Sequence, residues 1–196
     1  MYAKFIKRLF DIFFSLFGLI ILFVVFLFVA PFIFLEDKGP IFYNAKRLGQ
    51  NGKVFKMYKF RTMKVNSRDI RNKDGSTYNG NDDPRLTKVG RFLRKTSIDE
   101  LPQFINVFIG NMSIIGPRPF LNDVFDKKTM KLLKIRNSVK PGITGYSQAY
   151  FRNSIGQVEK IKKDIFYVHH ISFLLDLKIF FKTVFSVLKK ENIYNS

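Results

Sequence analysis

Residues 94–119 read R-K-T-S-I-D-E-L-P-Q-F-I-N-V-F-I-G-N-M-S-I-I-G-P-R-P. The stretch places two adjacent carboxylates, Asp99 and Glu100, in a chain with 34 Lys and Arg against only 15 Asp and Glu. Ser97-Ile98-Asp99-Glu100 fits the S-x-x-E capping box, in which early acids suit the positive end of a helix. Pro102 complicates that reading, because past the first turn it would remove a helix bond. Either the helix is kinked there or it begins later, with Asp99 and Glu100 on the bend. A capping role and a catalytic role are compatible. Phe104, Ile105, Phe108 and Ile109 form one apolar stripe, and Gly110-Asn111 is a stop signal. The stretch closes on Gly116-Pro117-Arg118-Pro119, a cation between two φ-locked prolines.

Before this centre, 24 residues from Ile12 to Leu35 carry no charge. As a helix at about 1.5 Å per residue they reach roughly 36 Å, enough to cross a hydrocarbon core of about 30 Å. The apolar run is too long for a signal peptide, and no A-x-A site follows it. Lys4, Lys7 and Arg8 precede it, and Lys38, Lys46, Arg47 and Lys53 follow. The positive-inside rule favours keeping both flanks cytoplasmic, which requires the helix to re-enter; a break at Ala30-Pro31 would leave unequal arms. A helix that spans is the alternative. Residues 1–38 are thus read as a membrane segment and 39–196 as the domain it anchors.

Lys38-Gly39-Pro40 is a turn. Residues 41–43 and 54–60 read as short strands around Gly49-Gln50-Asn51-Gly52, with Val54, Lys56, Tyr58 and Phe60 on one face. Lys59, Arg61 and Lys64 are candidate anion contacts or ordinary solvated charge. Residues 68–83 read as a polar loop and 86–96 as a short basic helix. Beyond Pro119, residues 120–136 read as a helix with Leu121, Val124, Phe125, Leu132 and Ile135 inward. Residues 140–145 form a Gly/Pro loop, and Gln148 and Arg152 follow as polar candidates. Phe173, Leu174, Leu177, Phe180, Phe181, Val184 and Leu188 recur at helical spacing. That stripe suits either a core helix or one lying on a bilayer.

The net charge of +19 predicts an anionic partner: nucleic acid, lipid or a phosphorylated small molecule. The chain has no cysteine, which excludes disulfides and thiolate metal sites. The two histidines, His169 and His170, are adjacent and do not converge on one metal. No Walker or dinucleotide fingerprint is present.

Several segments in order resemble one family: residues 7–11 (KRLFD), 58–63 (YKFRTM), 83–90 (DPRLTKVG), 97–103 (SIDELPQ), 116–119 (GPRP), 140–145 (KPGITG) and 174–179 (LLDLKI). Together they resemble the small monotopic phosphoglycosyl transferases, bacterial sugar transferases that start glycan assembly on polyprenol phosphate. The resemblance implies a mixed, irregular α/β fold: a re-entrant membrane helix and a small cytosolic catalytic domain with interfacial amphipathic helices. It implies a bacterial inner-membrane enzyme facing the cytoplasm, with a UDP-sugar, polyprenol phosphate and membrane lipids as partners, no nucleic acid, and Mg²⁺ as cofactor. A homodimer is compatible with it. Asp99 is implied as nucleophile, with Glu100 beside it to help hold the metal. Arg118, flanked by Pro117 and Pro119, is implied in nucleotide binding and Arg152 in phosphate binding, with Lys59, Arg61 and Gln148 as further substrate contacts. Family members break the first helix with Ser-Pro where this chain has Phe23-Val24. They often carry Trp at Tyr146 and an acid at Phe120. Rival readings are a membrane-tethered nucleic-acid binder, a non-enzymatic scaffold, and an enzyme that moves the sugar alone and releases UDP instead of UMP.

Overall fold

The computed structural model describes residues 2–71, 78, 80, 82–120, 126–152 and 154–189. Its long first helix and two small sheets give the mixed α/β architecture. A π-helical turn, Tyr2–Ile6, leads into α1, Lys7–Asp37. This helix continues through Pro31 with no break at Ala30-Pro31. One missing amide donor is tolerable where an apolar helix is otherwise fully bonded. The helix ends where Lys38 turns left-handed (φ 51°) and returns its N–H to Phe34 O, just before Gly39-Pro40.

Both ends of α1 are tied to the rest of the chain. At its start, Lys7 pairs with Asp176 at 2.6 Å, and Arg8 donates to Val107 O and Phe108 O. Asp11 accepts from Ser113 Oγ and Ile114 N. At its end, Glu36 accepts from Val89 N at 3.0 Å and Asp37 pairs with Arg61. Midway, a Cβ on Gly18 would lie 2.4 Å from the Phe104 ring, so only glycine permits this approach. Leu22 and Ile33 join Phe60 and Leu93 in one core, while Phe13, Phe17, Phe23, Phe28 and Phe32 stand outward.

The hairpin pairs β1, Phe42–Leu48, with β2, Val54–Phe60, from Phe42↔Phe60 to Leu48↔Val54. The first strand is longer than residues 41–43 suggest, because its polar Asn44, Lys46 and Arg47 still pair with β2. Of the face carrying Val54, Lys56, Tyr58 and Phe60, only Phe60 is buried. The opposite face buries Met57 against Val107 and Met112 and carries Lys59. Helix α2, Lys88–Thr96, is capped by Thr87 Oγ1, which accepts from Gly90 N.

After α3, Gln103–Phe108, the parallel strands β3, Ser113–Ile115, and β4, Gly142–Thr144, form the second sheet. The segment 140–145, expected as a loop, therefore holds a strand. It pairs because Gly142 lets the backbones close: a Cβ there would sit 2.1 Å from Gly116 N. Helix α4, Lys127–Arg136, starts at the Asp126 cap and buries Leu133, while Ile135 is exposed. The expected inward residues Leu121, Val124 and Phe125 lie outside the described residues.

Helices α5, Tyr146–Tyr150, α6, Gln157–His169, and α7, Phe173–Leu188, complete the chain. The stripe read on α7 faces outward: Leu174 is 67% and Phe181 51% exposed. Its inward face is Asp176, Ile179 and Ser186. Ile179 packs with Ile115, Ala149 and Tyr167, and Asp176 accepts from Tyr2 and Tyr167 hydroxyls. The rings of Phe10 and Phe14 stack on Phe173 and Phe180, so the outward faces of α1 and α7 adjoin.

Candidate active site

The two carboxylates sit where three backbone events coincide. Helix α2 stops because Ser97 adopts φ 58°, a left-handed residue whose N–H returns to the Arg94 and Leu93 carbonyls. A single 3₁₀ turn, Ile98–Glu100, follows. Pro102 then starts α3, where a proline's missing N–H costs no helix bond. Ser97 makes no side-chain cap bond, so the S-x-x-E capping box is not formed. The helix begins later than that box implies, and Asp99 and Glu100 occupy the bend.

Lys59 approaches from β2. Asn106, on α3, accepts from Tyr58 N and donates to Lys56 O, acting as a one-residue strand along β2. Those two bonds fix the hairpin against the helix that follows the carboxylates. The Lys59 ammonium then lies 2.7 Å from Glu100 Oε1 and 3.9 Å from Asp99 Oδ2. Arg118 Nη2 donates to the same Glu100 oxygen at 2.8 Å. The Arg118 loop is held by Gly116 N to Thr144 O and Gly142 N to Pro117 O. Pro117 and Pro119 are buried on either side, while the Arg118 side chain is 45% exposed. The prolines thus shape the loop, and the arginine faces outward from it.

This arrangement drives the two acids apart. Asp99 is 8% exposed, and burial pushes its carboxyl up to about 6; Lys59 opposes the rise and the Glu100 charge adds to it. Burial would also raise Glu100, but Arg118 and Lys59 outweigh it and hold this group well below the usual carboxylate range. Two neighbouring acids with separated titrations are suited to two different roles. Glu100 is held ionised beside its two cations, while Asp99 is the less stabilised carboxylate of the two. Among the described residues no group of three or more His, Cys, Asp or Glu converges. The pair alone fits Mg²⁺, which takes one or two carboxylates and completes its shell with phosphate oxygens and water. The ammonium already drawn to both carboxylates shows that the site attracts positive charge.

The other sequence candidates fall elsewhere. Arg61 is buried at the end of α1, where its guanidinium meets Asp37 and the carbonyls of Pro40, Met63 and Ile33. Its guanidinium is committed to the fold and is not presented as the anion contact that the sequence suggests. Lys64 donates to Pro84 O. Gln148 and Arg152 belong to α5 and the turn after it. That segment abuts the Arg118 loop, since a Cβ on Gly145 would lie 2.0 Å from Gly116 O. Gln148 donates to Ile143 O, and its buried Oε1 has no protein partner among the described residues. Arg152 has φ 39°, with its N–H on Ser147 O.

Sequence reasoning missed Asn106, whose signal was a lone amide within an apolar stripe. It also assigned no part to Asp83 and Arg85, a buried two-pronged pair inside the D-P-R segment. Gln103 was read only as part of a motif; it is 2% exposed and its Nε2 has no partner among the described residues.

Residues 2–190 match the family described as bacterial sugar transferase. The chain is 45% identical over 188 residues to the uncharacterized sugar transferase EpsL of Bacillus subtilis, covering 96% of this chain and 90% of that one. It is 40% identical over 196 residues to the UDP-glucose:undecaprenyl-phosphate glucose-1-phosphate transferase of Klebsiella pneumoniae, covering 96% of this chain and 41% of that one. Identity to the undecaprenyl-phosphate galactose phosphotransferase of Salmonella typhimurium is 36% over 203 residues, or 98% of this chain and 42% of that one. The chain therefore spans nearly all of the first relative and less than half of the other two.

Proposed function

The chain belongs to the bacterial sugar transferase family, and from that premise we propose that it transfers a sugar 1-phosphate from a UDP-sugar to undecaprenyl phosphate and releases UMP. The observation that carries this reading is the Asp99–Glu100 pair with Lys59 and Arg118 converging on it. An Asp99 oxygen attacks the sugar-linked phosphorus, forming an acyl phosphate ester as the bond to the bridging oxygen breaks. UMP leaves with that bridging oxygen. A phosphate oxygen of undecaprenyl phosphate then attacks the same phosphorus and returns the carboxylate, giving a diphosphate-linked sugar on the lipid. A carboxylate nucleophile divides one difficult displacement into two easier ones.

Anion must meet anion in both steps, so fixed positive charge is essential. Lys59 stands between the two carboxylates and stabilises charge near Asp99. The Arg118 guanidinium, exposed on its proline-framed loop, offers forked donors to nucleotide phosphate oxygens. Arg152 is assigned the same task for a phosphate on the α5 side. Glu100, with Asp99, would hold Mg²⁺, which would supply Lewis-acid neutralisation of the diphosphate.

The outward apolar faces of α1 and α7 support placement on a membrane. Because both ends of α1 are fastened to one domain, both flanks stay with that domain. The positive-inside rule then favours the cytoplasmic face, where a water-soluble UDP-sugar would meet the lipid acceptor. The test is product identity. Purified chain with UDP-sugar, undecaprenyl phosphate and Mg²⁺ should release UMP, and Asp99→Asn should release none. Release of UDP would instead indicate transfer of the sugar alone. Salt-sensitive DNA binding with no nucleotide released would favour the tethered nucleic-acid binder.

A further inference from the structure

We infer that Arg136 and Asp164 are a positioning pair that sets the spacing between the Arg118 loop and the segment carrying Arg152. This rests on the phosphate-binding roles proposed above for those two arginines, with the phosphate at Arg152 being that of the lipid acceptor. Neither member of the pair belongs to the Asp99–Glu100 centre. They are 2% and 1% exposed, on α4 and α6.

Their contacts run in two directions. Arg136 Nε donates to Asp164 Oδ2 at 2.9 Å, and Nη2 lies 2.7 Å from the same oxygen in the ion pair. Arg136 Nη2 also donates to the Arg118 backbone carbonyl at 2.6 Å. Its guanidinium carbon lies 4.0 Å from the centre of the Phe120 ring, two residues beyond Arg118. On the other side, Asp164 Oδ1 accepts from Ser147 N in the first turn of α5. The Ser147 carbonyl in turn accepts from the Arg152 N–H, at the residue with positive φ. An unbroken chain of bonds thus connects the backbone of Arg118 to the backbone of Arg152.

A buried ion pair is a poor source of net stability, because both ions are desolvated. Its value lies in direction. A planar fork with five donors meets a carboxylate and a carbonyl at once, which an ammonium cannot do in the same geometry. The loop and α5 are short elements that could otherwise shift independently. Both proposed phosphate-binding cations are thereby referred to one rigid point, and small errors in such placement are costly to binding and rate.

The test uses the full chain in detergent and UMP as the probe, measured by calorimetry, with thermal denaturation in parallel. Arg136→Lys is expected to remain folded and to weaken UMP binding by about tenfold. Placed in an Arg118→Lys background, the same substitution should change UMP affinity by less than about twofold, because it acts through Arg118. Asp164→Asn is the second variant and should raise KM for undecaprenyl phosphate as well as weaken UMP binding. Unchanged UMP affinity in a folded Arg136→Lys, or effects that simply add to those of Arg118→Lys, would overturn the positioning role. Loss of the fold in both variants would make the pair a stability element and overturn it too. A wild-type chain that binds no UMP would instead defeat the donor reading, and the pair's role with it.

Discussion

The ammonium of Lys59 lies 2.7 Å from one oxygen of Glu100, while the neighbouring carboxylate of Asp99 is 3.9 Å away. A single cation on β2 therefore serves both acids of the bend. It lowers the titration of Asp99 against the push of burial. Lys59→Met should lower the rate of UMP release by about a hundredfold, as expected for loss of a charge aimed at the reacting group. The pH at which kcat/KM reaches half its maximum should also move upward from about 6. A pH profile left in place would show that Lys59 does not influence the nucleophile.

Asp99 is held at a cost to the fold. Its folded titration, near 6, lies above the ordinary value of 3.8. The unfolded state therefore gives up this proton first. Stability associated with the group is present below pH 3.8 and is lost as pH rises through about 6. Asp99→Asn removes that penalty. The variant should be inactive yet melt about 5 °C higher than wild type at pH 7.5, with the gap closing near pH 4. Melting curves at the two pH values check this.

Arg61 belongs to the fold. Arg61→Ala leaves Asp37 without its ion-pair partner and frees the Ile33 carbonyl in the last turns of α1. It should destabilise the chain by about 2 kcal/mol, the scale for losing a hydrogen bond to a charged group. The folded fraction should keep its KM for the UDP-sugar. Denaturant unfolding with steady-state kinetics separates the two effects, and a large rise in KM would return Arg61 to the substrate site.

The chain has no tryptophan, so single Trp probes report without background. Phe28→Trp on α1 and Phe181→Trp on α7 lie on the outward apolar faces. Both should be strongly quenched in vesicles of brominated lipid relative to the same vesicles without bromine. An unquenched Trp at 181 would mean that α7 does not touch the bilayer.

Local chemistry made part of this architecture readable. Gly49-Gln50-Asn51-Gly52 predicts the hairpin, Gly110 the end of α3, and the uncharged run α1. Asp99 and Glu100 stood out because acid is scarce, and Pro102 already cast doubt on a simple cap. What the sequence left open or misread has a common cause. On α7 the spacing of Phe and Leu is helical whether the stripe faces a core or a lipid, and only the buried Asp176 and Ile179 reveal which. At Gly142 a loop signal was in fact a backbone close enough to pair with β3. Arg136 and Asp164 are 28 residues apart, and no local pattern announces a contact made by tertiary packing.

The central claim is that Asp99 becomes covalently loaded. Intact-mass and peptide analysis of the chain, mixed with UDP-sugar and Mg²⁺ and no lipid acceptor, tests it directly. The account predicts a gain equal to the sugar phosphate, located on Asp99, accompanied by UMP and discharged when undecaprenyl phosphate is added. Rapid product formation with Asp99 unmodified at every time, and with Asp99→Asn still active, would contradict it.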